Sequence, residues 1–182
     1  MRRPALDLQP TLTDDRVLLR PLQPGDFEAL YAIASDPLIW EQHPNPLRYQ
    51  RPVFETYFAG AIQSGGAFLV VEAATGSPMG SSRFYDHDPS ARSVLIGYSF
   101  LGRRYWGGPS NRAVKTLMLD HAFRFVDHVF LHVGAENRRS QRAMEKLGAQ
   151  RLGERTVAYH GEPETTNLVY RIRRPHGAGE GT

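Results

Sequence analysis

The chain has 182 residues, 41% hydrophobic and 23% charged, a balance that fits one folded domain with a sizeable core and excludes a disordered chain. It has no cysteine, which excludes disulfides, cysteine-bound zinc, iron–sulfur clusters and a thiol nucleophile; a reducing compartment suits it, and the cytoplasm is the expected location. The formal net charge is +3, with arginine scattered rather than clustered, so the concentrated basic stripe of a nucleic-acid surface is missing, and no apolar run approaches the ~20 residues of a membrane-spanning helix.

In chain order, "MRRPALDLQP" has arginines without an apolar stretch behind them and is not expected to be a secretory signal. Residues 15–22 read as a strand. Residues 24–36 read as a helix capped by Asp26, with Phe27, Leu30, Tyr31 and Ala34 at helical spacing. The three prolines of 37–49 forbid one regular element there. A second helix follows over 51–66, ended by Gly65 and Gly66. Strands are expected over 67–74, 79–88 and 93–101, then a helix over 111–125 whose apolar residues recur in steps of three and four. A strand at 129–137, a short helix at 140–148 and strands at 150–160 and 165–174 complete the pattern. Hairpin and crossover links together predict a mixed sheet in an α/β (α+β) domain spanning 1–182, with 1–11 and 174–182 as flexible tails.

The stretch "RRYWGGPSNR" between a strand and a helix is a candidate anion cradle. The first N–H groups of a helix lack intrahelical partners and carry partial positive charge. Gly107 and Gly108 provide room for close approach, and Arg103 and Arg104 provide charge. No Gly-Lys-Ser/Thr follows, so this is not a P-loop, and there is no G-x-G-x-x-G dinucleotide fingerprint. A tight turn before a core helix is the alternative.

Arg104-Tyr-Trp-Gly107-Gly108 resembles the Q/R-x-x-G-x-G/A motif of the GNAT superfamily of acyl-CoA-dependent N-acyltransferases, and "NRRSQRAMEKLG" resembles its second motif through Asn137, Ser140, Glu145, Lys146 and Gly148. The stretch 94–107 is similar to the strand that presents its edge to pantetheine. Residues 18–37 are similar to the opening of the subgroup that acetylates ribosomal-protein N-termini. The likeness runs over residues 12 to 173. It implies a central mixed, mostly antiparallel sheet of six to seven strands with about four helices. It also implies acetyl-CoA as acyl donor, a primary amine (a protein N-terminus or small amine) as acceptor, and direct transfer, with dimers through sheet edges known in the family. It places Phe100, Leu101, Arg103, Arg104, Trp106, Gly107, Gly108, Ser110, Asn111, Asn137 and Ser140 against coenzyme A. Lys115 stands one turn further on as another phosphate ligand.

Two departures from the pattern open an alternative, a CoA-binding module with little or no turnover. Pro109 has no N–H to donate, and Met144 stands where many members carry a tyrosine acid. Ser140 is then the nearest hydroxyl for the leaving sulfur, or a helix cap. For the base, Glu136 and His43 are candidates, each with a plain alternative: a solvated carboxylate for Glu136 and a packed loop anchored by Trp40 for His43. His87 reads as surface and His132 as structural. No group of histidines and carboxylates has metal spacing, so no metal is expected.

Overall fold

The computed structural model of the chain describes residues 4–176. Eight strands form one sheet: β1 (Leu12–Thr13), β2 (Val17–Pro21), β3 (Ala67–Glu72), β4 (Pro78–Asp88), β5 (Ser93–Leu101), β6 (His128–Gly134), β7 (Gln150–Ala158) and β8 (Glu164–Arg173), in the order β1-β2-β3-β4-β5-β6-β8-β7. Every neighbouring pair is antiparallel except β5 and β6. The seven expected strands are all present; the eighth is the two-residue β1, too short to leave a period. Four helices flank the sheet: α1 (Phe27–Ala34), α2 (Arg51–Ser64), α3 (Ser110–Ala122) and α4 (Arg138–Lys146). No helix among the described residues is long and apolar enough to cross a membrane.

The sheet is buried on both faces. On β3, Phe68 and Val70 point to one side and Ala67 and Leu69 to the other, as the two-residue period of a strand requires. Phe68 and Val70 pack with Met118 and Ala122 of α3 and Met144 of α4. Ala67 and Leu69 pack with Leu30 of α1 and Phe54, Tyr57 and Phe58 of α2. A central strand covered on both faces reads as a continuous apolar run, as "AFLVV" does.

Three local readings are corrected. The Asp26 carboxylate does not cap α1; it takes the Gln23 N–H at 2.7 Å and pairs with Arg20. Residues 4–11 are not a free tail: Leu6 is buried, the Asp7 carbonyl meets His121 Nε2 at 2.8 Å, and the Gln9 amide donates to the Ala67 carbonyl. At the other end the Arg174 N–H donates to the Asp127 carbonyl. Of the expected tails, residues 1–3 and 177–182 lie outside the described residues.

Two features shape the middle of the sheet. The parallel pairing of β5 with β6 runs only from Ser93–His128 to Leu95–Phe130. Beyond it β5 stays with β4 as far as Leu101, and β6 stays with β8 as far as Gly134, so the two strands part. On the β4 side, the register shifts between Ser81 and Arg83, where Tyr98 adopts a left-handed φ of 52°. This is a β-bulge, which bends a strand and increases its twist. A non-glycine residue in that region costs about 1–3 kcal/mol and persists only where its surroundings hold it. Here the Tyr57 hydroxyl donates to the Tyr98 carbonyl at 2.5 Å.

Gly80 allows β4 to lie this close to the end of β5. It has φ 157°, and a Cβ there would stand 2.0 Å from the Phe100 carbonyl oxygen. Gly80→Ala should therefore destabilise the fold by about 2 kcal/mol or more, read as a lower denaturant midpoint. Gly25→Ala, where a Cβ meets nothing within 4 Å, is the control that should leave the midpoint unchanged.

Candidate functional site

Where β5 and β6 part, a cleft of about 770 Å³ opens. Its sides are β5 from Ile96 to Leu101 and β6 from Leu131 to Gly134. One end is closed by the turn Tyr105–Pro109, the start of α3 and the cleft-facing side of α4. The other end is closed by Ile39, Gln42, His43, Pro44, Arg48 and Tyr159.

The first end combines an open glycine turn with a helix start. Gly107 has φ 71°, and neither Gly107 nor Gly108 would press a Cβ against any atom within 4 Å, so the turn is open on its outer side. Pro109 takes the cap position of α3 with φ −80°, a conformation proline holds without strain. The first intrahelical bond runs from the Ala113 N–H to the Pro109 carbonyl at 2.9 Å. The N–H groups of Ser110, Asn111 and Arg112 are thus left without intrahelical partners.

The charge around this turn does not come from the expected residues. Arg103 pairs with Asp36, and Arg104 lies over the Tyr105 ring; neither lines the cleft. Arg112 of α3 and Arg138, Arg142 and Lys146 of α4 line it instead, and among the described residues none of the four is in an ion pair. Positions 138, 142 and 146 are four residues apart, so they share one helix face. That spacing was visible in "NRRSQRAMEK" and is the signal that points to them. Lys115 lines the cleft too, but its ammonium is buried and donates to Ser99 Oγ at 2.5 Å, and burial pulls its pKa down to about 8.

Phe100, Leu101, Trp106, Asn111, Asn137 and Ser140 all line the cleft. The Trp106 indole N–H donates to the Leu101 carbonyl at 3.0 Å, and Arg139 stacks over the indole at 3.6 Å, which fixes the turn to α4. Asn137 is buried and is the cap of α4, accepting the Ser140 N–H at 3.1 Å. The Ser140 hydroxyl has no partner among the described residues and faces the cleft. Met144, one helical turn on, is buried beside it.

At the other end, Trp40 is fully buried, donates its indole N–H to the Ala34 carbonyl and meets the His43 ring edge-on at 4.9 Å. Burial, with Arg48 and Arg139 nearby, pushes His43 down to about 3, so it is a weak proton acceptor. Glu136 is exposed and lies outside this cleft, in a small adjoining hollow shared with His43. His132, read from the sequence as structural, lines the cleft instead; its Nδ1 is buried without a partner, and burial lowers its pKa from 6.5. Tyr159, also missed, lines the cleft and donates to Asn167 Oδ1 at 3.1 Å. No group of three or more His, Cys, Asp or Glu among the described residues is arranged to hold a metal.

Arg48 ties the irregular 37–50 segment to the β7–β8 turn. It makes two 2.7 Å bonds to Glu162, with both side chains 4% exposed, and lies over the rings of Trp40, Tyr57 and Tyr159. Burial lowers the guanidinium pKa, but the bonds it donates to Glu162, with that residue's charge, outweigh it and leave the group above its ordinary value. Removing one partner strands the other charge. Glu162→Ala should cost about 3 to 5 kcal/mol, whereas an Arg48→Met/Glu162→Leu pair should cost far less; denaturant unfolding of the two variants checks this.

Residues 16–150 match the family described as "Acetyltransferase (GNAT) domain". Several solved structures share the fold. A GCN5-related N-acetyltransferase from Brucella melitensis is 20% identical with a TM-score of 0.76, over 91% of this chain and 79% of that one. RimJ from Mycobacterium smegmatis, solved in complex with CoA-disulfide, is 20% identical with a TM-score of 0.69, over 90% of this chain and 87% of that one. A GNAT-family acetyltransferase from Bacillus anthracis is 20% identical with a TM-score of 0.67, over 90% of this chain and 98% of that one.

Proposed function

The chain belongs to the GNAT acetyltransferase family, and we propose that it moves an acetyl group from acetyl-CoA to a primary amine by direct attack of the amine on the thioester. The observation that carries this reading is the parting of β5 from β6 beside the open Gly107-Gly108 turn. The gap offers strand edges to an extended pantetheine arm, and the turn offers free N–H groups to a pyrophosphate.

The residues present fit such a donor. The N–H groups of Gly107, Gly108, Ser110 and Asn111 face the phosphates, and Pro109 costs the cradle one donor without blocking the helix start. Arg112, Arg138, Arg142 and Lys146 add the positive charge. The acetyl thioester supplies an electrophilic carbonyl carbon. The strand edge of β5 near Phe100 and Leu101 offers a backbone N–H to the oxygen that gains charge. The Ser140 hydroxyl donates a hydrogen bond to the leaving sulfur, the role Met144 cannot fill.

An N-terminal α-amine has a pKa near ~8 and needs little help to become neutral at pH 7. His132 is better placed than Glu136 or His43 to take the proton, directly or through water. It faces the cleft, its Nδ1 is free of protein partners, and its lowered pKa keeps it neutral at pH 7. The N–C bond forms, the C–S bond breaks, and the ammonium proton passes to His132.

Thiol release from acetyl-CoA over a panel of amines tests the function. Ser140→Ala should lower kcat ~100-fold while acetyl-CoA affinity holds; an unchanged kcat would leave Ser140 as a helix residue only. Since a lowered histidine pKa keeps the base free until the pH drops below it, kcat at saturating amine should fall only at pH values under His132's ordinary 6.5, and His132→Gln should remove that limb; kcat/KM falls earlier, as the free amine protonates near ~8.

A further inference from the structure

Arg83 is a buried guanidinium without an anion among the described residues; it does not itself line the cleft but lies behind Tyr98, which does. It stands on β4 opposite Gly97 of the cleft wall and is 3% exposed. Its Nε and Nη2 are buried with no hydrogen-bond partner, and it is in no ion pair among the described residues. Its only partners are rings: it lies 3.7 Å from the Tyr98 centroid and 5.7 Å from that of Tyr57. A buried ring contact returns about 2 kcal/mol or somewhat more, short of the several kcal/mol that a buried, unpaired charge costs.

The neighbours cannot repair this. Glu162 is already held by two bonds from Arg48, which shares the Tyr57 ring with Arg83. The Ser81 hydroxyl donates to the Phe68 carbonyl, and Ser82 is paired with Ser99. Two buried guanidiniums therefore share the Tyr57 ring with one carboxylate between them. Tyr98, on which Arg83 stacks, lines the cleft, as do Gly97 and Arg48.

We infer that the acceptor carries a carboxylate close to its amine, which enters beside Tyr98 and is held by Arg83. The inference rests on the reading that this cleft acetylates an amine. Its source is either the α-carboxylate of a free amino acid or the acidic side chain of a peptide's first residue. The same unpaired charge disfavours an ammonium nearby and so favours the neutral nucleophile.

The test measures thiol release at saturating acetyl-CoA for matched acceptors: glycine and β-alanine beside their carboxamides, and Asp-Ala beside Asn-Ala. The carboxylate member of a pair should be preferred about tenfold or more. Preference for the free amino acids identifies the α-carboxylate, and preference for Asp-Ala identifies a side chain. Arg83→Met should raise KM for the preferred acceptor about tenfold or more and leave that of its uncharged partner in place. Arg83→Lys, which keeps the charge but loses the planar fork, serves if the Met variant fails to fold, and should show a smaller rise in KM. A second readout needs no turnover: calorimetric titration of N-acetylglycine, N-acetyl-β-alanine and N-acetyl-Asp-Ala into the CoA complex, where binding by the wild type and its loss in the variant are expected. If no amine of either kind is acetylated, the acetyltransfer reading fails, and this titration still decides on Arg83. Equal rates within every pair, or carboxylate binding that survives in the folded Arg83 variants, would overturn the proposal.

Discussion

The structure depends on one interruption. Three residue pairs join β5 to β6, and after Leu95 and Phe130 the ladder stops while each strand remains bonded on its other side. Buried backbone groups are costly when unpaired, so a sheet that opens in its middle must either admit water or hold something that satisfies the edge. The cleft lies at that opening, and the groups assigned a role line it or, as Arg83 does, lie directly behind a residue that lines it. The opening is held by β4 pulling β5 away through the Tyr98 bulge and by Gly80 allowing the strands to approach at Phe100.

The two ends of the cleft have different physics. At the α3 and α4 end, charge is exposed and unpaired: Arg112, Arg138, Arg142 and Lys146 stand in solvent around a turn with free N–H groups. Such a site attracts a polyanion at long range and lets it go, because solvent screens each contact. At the other end, charge is buried. Arg48 and Arg83 lie among Tyr57, Tyr98 and Tyr159, and only Arg48 has its carboxylate. Buried charge discriminates, since a misfitting acceptor leaves a guanidinium unpaired. In the proposed acetyltransfer, donor capture and acceptor choice would be separated along one gap in the sheet.

The sequence was legible where periodicity decides structure. The continuous run "AFLVV" and the steps of three and four in α3 give β3 and α3 nearly to their ends. The glycine pair marked the open turn before α3, and the Asn137 to Gly148 motif marked the cap of α4. What stayed hidden depends on where a chain turns in three dimensions. Arg103 and Arg104 adjoin the glycines in sequence, yet the short helical turn at 103–105 directs them to Asp36 and Tyr105. Lys115 points inward because the fourth position after Asn111 faces the sheet. Arg83 and His132 occupy strand positions that look structural until the neighbouring strand departs. No local pattern announces that β5 and β6 part, because the pairing is set by residues far apart in the chain.

The central claim is that this opening binds an acyl-CoA despite Pro109. Calorimetric titration of the full chain with acetyl-CoA, beside the Gly107→Glu variant, tests it most directly. The account predicts micromolar binding by the wild type and none by the variant, whose carboxylate would occupy the open side of the turn. Equal affinity in the two, or no binding by the wild type, would contradict it.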